Sequence, residues 1–247
     1  MRWVLLRGLT REAGHWGEFP QRLARATGEP VLAPDLPGNG RLHAGRSPAS
    51  VPALAEHCMR RLACDERTIV VAMSLGAMVA VEWMRRAPEG FAGAALINTS
   101  LSVASPFWHR LQPRSYPAIA RLLLPGLAPL ARERLILWLT TARPGAHERL
   151  PAEWAHLAQA RPVRRSNALR QFWAAARYRG PGQPPPVPLL LLASAGDVLV
   201  SPRCSQALSR RWGLPLRLHP WAGHDLSVDD PDWLLHVLLQ WRASLGG

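Results

Sequence analysis

The chain has 247 residues, 48% of them hydrophobic, a formal net charge of +13 and three cysteines. That length and apolar content fit one large α/β domain with a buried core and exclude a disordered chain. No apolar run approaches the ~20 residues of a membrane span, and Met1–Leu6 is too short for a signal-peptide core. Cys58, Cys64 and Cys204 show no metal spacing, so reduced thiols and a cytoplasmic location are expected. Every basic residue is arginine; the chain has no lysine. A basic balance suits nucleic acid, an anionic membrane surface or an acidic protein. No nucleic-acid-binding module is legible, so no nucleic-acid partner is expected.

Trp3 to Leu6 reads as a buried strand, followed by the loop Arg7-Gly8-Leu9-Thr10-Arg11. Trp16, Phe19, Leu23 and Ala26 recur at helical spacing, which predicts a helix from His15 to Thr27, broken at Pro20 and ended by Gly28. Val31 to Ala33 is a second strand, running into the turn Asp35-Leu36-Pro37-Gly38-Asn39-Gly40. Arg41 to Ser50 is a polar loop. Ser50 and Pro52 open a helix from Val51 to Cys64. It carries Cys58 and Cys64 on different faces.

The stretch Thr68 to Met84 organises the rest. A β-branched run, Ile69 to Val71, turns sharply through Ala72-Met73-Ser74-Leu75-Gly76 and continues as an Ala-rich helix to Arg85 and Arg86. Gly93 to Ile97 is the next strand, ending at Asn98-Thr99-Ser100. The strand pattern then stops. Four helices are expected: Tyr116 to Leu124, Leu127 to Thr141, Ala152 to Ala160 and Ser166 to Tyr178. Gly180 to Pro186, GPGQPPP, is a semi-rigid connector. Val187 to Ala193 and Leu216 to Leu218 are the last strands. Helices follow them from Ser201-Pro202 to Trp212 and from Asp230-Pro231, the latter with Leu234, Leu238 and Trp241 on one face. Six apolar runs separated by helices imply a parallel sheet covered on both faces. Ligand sites in such sheets lie beyond the C-terminal strand ends.

A lone serine between strand and helix, with small residues two before and two after, has the form of a nucleophile elbow. Ser74 read alone is also a helix cap. Asp197 read alone suits a turn, and His224 a structural loop. Together they follow three strands in the order Ser, Asp, His, and each sits where a strand ends. A serine needs a base, and the base needs a carboxylate to fix its tautomer. Asp225, beside the histidine, is expected to point elsewhere, so Asp197 is the candidate acid.

The chain resembles the α/β-hydrolase family along nearly its whole length. The resemblance rests on the Gly8 loop, the Asp35–Gly40 loop, the Ala72–Gly76 elbow, Gly196-Asp197 and Gly223-His224. It implies a three-layer fold with a mostly parallel sheet. The first run matches the family's third strand, so about six strands are expected instead of eight. It also implies a core of residues 1–100 and 187–247 with a helical cap, 101–186, inserted over the site. The backbone N–H groups of Leu9 and Leu75 would form the oxyanion hole. No cofactor or metal is implied. Relatives usually carry His-Gly where this chain has Arg7-Gly8. Arg7 and Arg11 therefore either bind an acidic substrate group or pair with Glu12 or Glu18. Among the cap residues Trp108, Leu123, Leu127, Leu137, Trp138, Phe172 and Trp173, a few are expected to line an apolar pocket over Ser74, with Trp138 and Trp173 as substrate contacts.

The expected activity is hydrolysis of a carboxylic ester or thioester with a lipophilic acyl group. In size, layout and charge the chain is similar to small capped esterases that cleave a pimeloyl methyl ester on acyl carrier protein. Arg161, Arg164, Arg165, Arg170, Arg177 and Arg179 would then face an acidic carrier protein. The motifs do not separate that subgroup from general carboxylesterases. Acyl transfer, peroxidase or lyase chemistry on the same triad, and a non-catalytic binding protein on this fold, stay open.

Overall fold

The computed structural model describes residues 1–65 and 67–245. In chain order it contains β1 (Arg2–Leu6), α1 (Phe19–Thr27), β2 (Val31–Leu32), α2 (Val51–Arg61), β3 (Thr68–Met73), α3 (Leu75–Arg86) and β4 (Gly93–Ile97). Five helices without a strand follow: α4 (Phe107–Arg110), α5 (Tyr116–Leu123), α6 (Pro129–Thr140), α7 (Leu150–Ala160) and α8 (Arg165–Arg177). The chain closes with β5 (Leu189–Ser194), α9 (Arg203–Trp212), β6 (Leu216–His219), α10 (Leu226–Asp229) and α11 (Pro231–Ala243).

The six strands form one parallel sheet in the order β2-β1-β3-β4-β5-β6. β3, β4 and β5 are buried at every position. This is why they read as continuous apolar runs. The period of two is still there. Val4, Leu6, Val70, Ala72 and Leu96 face α2 and α3 in one core, with Leu54, Val79 and Met84. Trp3, Leu5, Ile69, Val71 and Ile97 face the other core, built with Phe19 and Leu23 of α1 and Leu234 and Leu238 of α11. Two helix layers on one sheet make the three-layer fold.

The helix ends follow their local chemistry. Gly28 and Gly213 take left-handed conformations after α1 and α9, which glycine adopts without penalty. Ser50 accepts from Ala53 N at the start of α2, and Asp230 accepts from Trp233 N at the start of α11. Two sequence expectations are corrected. The helix α2 stops at Arg61, because Leu62 is extended (φ −119°, ψ 111°), so Cys64 lies beyond it. And α4 and α10, four residues each, were not expected.

Residues 101–186 are tied to the sheet's C-terminal edge by polar contacts. Gln171 of α8 is fully buried, donates to Asn39 Oδ1 (2.8 Å) and accepts from Thr10 N (2.8 Å). Asn167 holds Ser47 N at 2.9 Å and the Gly45 carbonyl at 2.8 Å. Tyr178 donates to the buried Glu82 of α3 at 3.1 Å. Burial, with Glu82 beside it, pushes the Tyr178 hydroxyl pKa up.

Candidate active site

Ser74 sits between β3 and α3 with φ 54° and ψ −117°. A serine rarely occupies that region, and the surrounding structure must offset the strain. Three contacts hold the turn. Ser74 N donates to Ile97 O at 2.9 Å, Ala77 N donates back to Ser74 O at 3.1 Å, and Thr99 Oγ1 donates to Ser74 O at 3.3 Å. Gly76 is required here. A Cβ at that position would stand 2.6 Å from the carbonyl oxygens of both Leu6 and Arg7. At Gly8 a Cβ would lie 3.2 Å from Ser74 Cβ. The loop after β1 thus runs directly against the serine.

Asp197 follows β5 and is 1% exposed. Its Oδ1 accepts from Leu199 N (2.8 Å) and Val200 N (2.9 Å). That leaves Oδ2 for His224 Nδ1, at 2.7 Å. From residues 101–186, Gln112 and Arg114 donate to the Asp197 carbonyl at 2.8 and 2.7 Å. His224 follows β6, in a loop where a Cβ on Gly223 would meet the backbone of Thr140–Ala142 at 2.8 Å. Burial opposes charging His224. The Asp197 carboxylate outweighs it through charge and hydrogen bond, helped by Asp225, and the imidazole pKa is raised above its ordinary 6.5.

Asn98, after β4, joins these loops. Its Nδ2 reaches His224 O at 2.8 Å and Ser194 Oγ at 3.0 Å, and its Oδ1 takes Ser194 N at 2.9 Å. Sequence reading placed Asn98 only at a strand end. Its φ of 46° suits asparagine, one of the few residues that visit this region. The serine, the Asp–His pair and Asn98 thus share the sheet's C-terminal edge. Among the described residues no hydrogen bond links Ser74 Oγ to the His224 ring. Such contacts are often long until a substrate is bound. Leu75 N, at the first position of α3, has no acceptor within the helix, and among the described residues neither it nor Leu9 N donates a backbone hydrogen bond.

Both arginines of the first loop are buried and paired with carboxylates. Arg7 is 3% exposed and grips Asp225 with both terminal nitrogens; its Nη1 also reaches Ser227 Oγ at 3.2 Å. It stacks on Trp16, 4.8 Å from the ring centroid. Asp225 precedes α10, and its carboxylate pairs with Arg7 and accepts from Ser227 Oγ at 2.8 Å. Burial would raise the Asp225 pKa; the Arg7 charge and hydrogen bonds win and hold it below the ordinary value. Arg11 pairs with the buried Glu133 of α6 at 2.7 Å and lies over Trp154 at 4.3 Å. Neither arginine pairs with Glu12 or Glu18; Glu12 is taken by Arg161.

Most of the apolar residues expected over Ser74 are not buried in a core. Trp108, Leu123, Trp138 and Trp173 are each more than half exposed, and only Leu137 of the seven is buried. A cavity of about 740 Å³ opens between the Gly14–Phe19 segment, α7 and α10, with His15, Trp16, Trp154 and Ser227 on its walls. It includes none of Ser74, Asp197 or His224. Among the described residues no three His, Cys, Asp or Glu side chains cluster as a metal site. No helix there is long and apolar enough to cross a membrane. Cys58 and Cys204 are buried free thiols, with burial pushing their pKa up to about 12 and about 11.

Residues 3–237 match the model of the alpha/beta hydrolase family, and the chain belongs to that family. A protein from Cronobacter turicensis named "Putative carbamate hydrolase RutD" is 30% identical over 98% of this chain and 91% of its own length. Two solved structures share the fold. One, titled as a "Putative non-heme bromoperoxidase BpoC" from Mycobacterium tuberculosis, gives a TM-score of 0.77 at 21% identity, over 99% of this chain and 92% of that one. The other, a thermophilic esterase from Thermogutta terrifontis, gives 0.75 at 18% identity, over 99% and 90%.

Proposed function

We propose that this protein is a serine hydrolase that cleaves a carboxylic ester or thioester through an acyl-enzyme. The observation that carries the reading is the 2.7 Å bond between His224 Nδ1 and Asp197 Oδ2 on the sheet edge that also presents the strained Ser74. With Nδ1 committed to Asp197, the other ring nitrogen, Nε2, is left to serve as the base. Ser74 Oγ attacks the carbonyl carbon as His224 takes the hydroxyl proton. The oxyanion is met by Leu9 N–H and Leu75 N–H, whose stabilisation applies only as charge develops. His224 then gives its proton to the departing alkoxide or thiolate. Water, activated by the same imidazole, releases the acid. Residues 101–186 act as a cap, and their contacts to the Asp197 carbonyl and the His224 loop couple the cap to the site.

The carbamate named for the RutD relative favours a second substrate class. A carbamate carbonyl accepts the same attack and oxyanion contacts, and the leaving group becomes an amine or alcohol. The carrier-protein reading gains nothing from the cap arginines that turn inward: Arg161 meets Glu12 and Arg170 meets the Ser47 carbonyl.

The test is a panel of aryl esters, thioesters and carbamates of graded acyl length, run on the parent protein and Ser74→Ala. Turnover of at least one class is expected, and the variant should lose at least about a thousandfold. Equal turnover by both proteins removes Ser74 from the mechanism. No turnover of any class favours a binding protein on this fold.

A further inference from the structure

Residues 101–186 hold thirteen arginines against three acidic residues, so +10 of the chain's +13 lies in this segment. One of the three acids, Glu133, is buried against Arg11. Among the described residues, Arg161 is the one arginine of the thirteen whose guanidinium meets a carboxylate. Arg114 and Arg132 bond backbone carbonyls, which orders them without neutralising them.

The same segment turns large apolar side chains outward. α5 buries none of its residues. In the turn from α5 to α6, Leu123 and Leu124 are 51% and 54% exposed, and Leu130 follows at 38%. On α8, Arg165, Leu169, Trp173 and Arg177 recur every fourth residue and so share one face. Leu169 and Trp173 are exposed, and Arg177 stacks over the Trp173 ring at 5.4 Å. Arg165 donates to the Leu123 carbonyl, which brings the start of α8 beside the leucine turn. The result is an exposed patch of leucine and tryptophan bordered by guanidinium groups.

We propose that this patch docks on an anionic lipid surface. Single exposed leucines are ordinary, but adjacent ones beside uncompensated cations are an interfacial signature. A second copy of the chain would bring like charge against like charge. An acidic protein would answer the arginines and leave the exposed leucines without a counterpart. The boundary between headgroups and acyl chains takes both: phosphates accept from arginine, the acyl region receives leucine, and an amphipathic indole suits the boundary itself. The inference does not depend on the chemistry assigned to Ser74.

The test is co-sedimentation with vesicles of phosphatidylcholine alone and with phosphatidylglycerol added. The parent protein is expected to partition onto the phosphatidylglycerol vesicles, to leave them as salt rises, and to ignore phosphatidylcholine alone. Leu123→Asp combined with Leu124→Asp should weaken partitioning by at least about tenfold. Arg121→Glu combined with Arg134→Glu, both exposed positions on the α5 and α6 helices that flank the leucine turn, should also weaken it. Leu32→Asp, an exposed position on the β2 edge, should leave it unchanged. Circular dichroism identical to the parent establishes that the variants are folded. The proposal is overturned by a parent protein that ignores phosphatidylglycerol vesicles, or by leucine-turn and arginine variants that bind them as the parent does. Capture by an acidic protein in place of the vesicles overturns it as well.

Discussion

His224 and His15 are both buried, yet their environments push them in opposite directions. Burial works against charge at His224, but Asp197 raises its pKa. At His15 burial comes first, the Arg11 and Arg7 charges add to it, and the pKa falls well below 6.5. A base must be neutral to act, so kcat/KM for any hydrolysed substrate is expected to rise with pH along a limb centred above 6.5. A limb centred below 6.5 would contradict the Asp197 pairing. The His224 contribution to stability is complete below pH 6.5 and is lost as pH rises through its raised folded value; the His15 contribution is complete above 6.5 and is lost as pH falls. Arg7 gives a second expectation. Arg7→Met strands the Asp225 carboxylate in the interior and should cost about 3–5 kcal/mol in chemical denaturation. Removing both charges, with Asp225→Leu, should recover most of it. A single variant as stable as the parent would mean the pair is not buried as described. Ser74, Asp197 and His224 were legible because each stands where an apolar run breaks. The Arg7 partner was not, because it lies 218 residues away and only folding brings it near. The exchange of the family's usual histidine for arginine was visible, but its burial was not.

At the scale of elements, the strand β3 and helix α3 are joined by a turn that leaves no room. Gly76 abuts the carbonyl oxygens of Leu6 and Arg7, so the helix starts almost in contact with β1. Gly76→Ala should therefore cost about 1–3 kcal/mol through backbone displacement and lower the melting midpoint by several degrees, roughly 2–4 °C per kcal/mol. An unchanged midpoint in a thermal scan would show that the helix can shift freely. All six strands were legible from apolar runs bounded by turn residues, and β4 ends where the sequence places it. What escaped was short. The helices α4 and α10 have four residues each, too few to show a period. The end of α2 was misplaced because Leu62 and Cys64 continue an apolar pattern that the backbone leaves. The exposure of Trp138 and Trp173 was hidden as well. Apolar residues on a helix normally face a core, and only packing tells which of two apolar faces is turned inward.

In the whole molecule, the parallel sheet brings the loops after β1, β3, β4, β5 and β6 to one edge, and the helical segment is fastened over that edge by polar contacts. Residues distant in the chain are assembled by this arrangement: Asn98 bonds the end of β5 and the loop after β6, Gln112 and Arg114 hold the Asp197 backbone, and Asp225 N donates to Thr140 O at 2.6 Å. Charge is divided as sharply as structure, with the helical segment carrying most of the excess. The central claim is that Ser74 is an activated nucleophile. A fluorophosphonate probe followed by intact mass tests it most directly. One adduct per chain is expected, located on Ser74, absent in Ser74→Ala and strongly slowed in His224→Ala. Labelling of Ser74→Ala at the parent's rate, or no labelling of the parent, would contradict it.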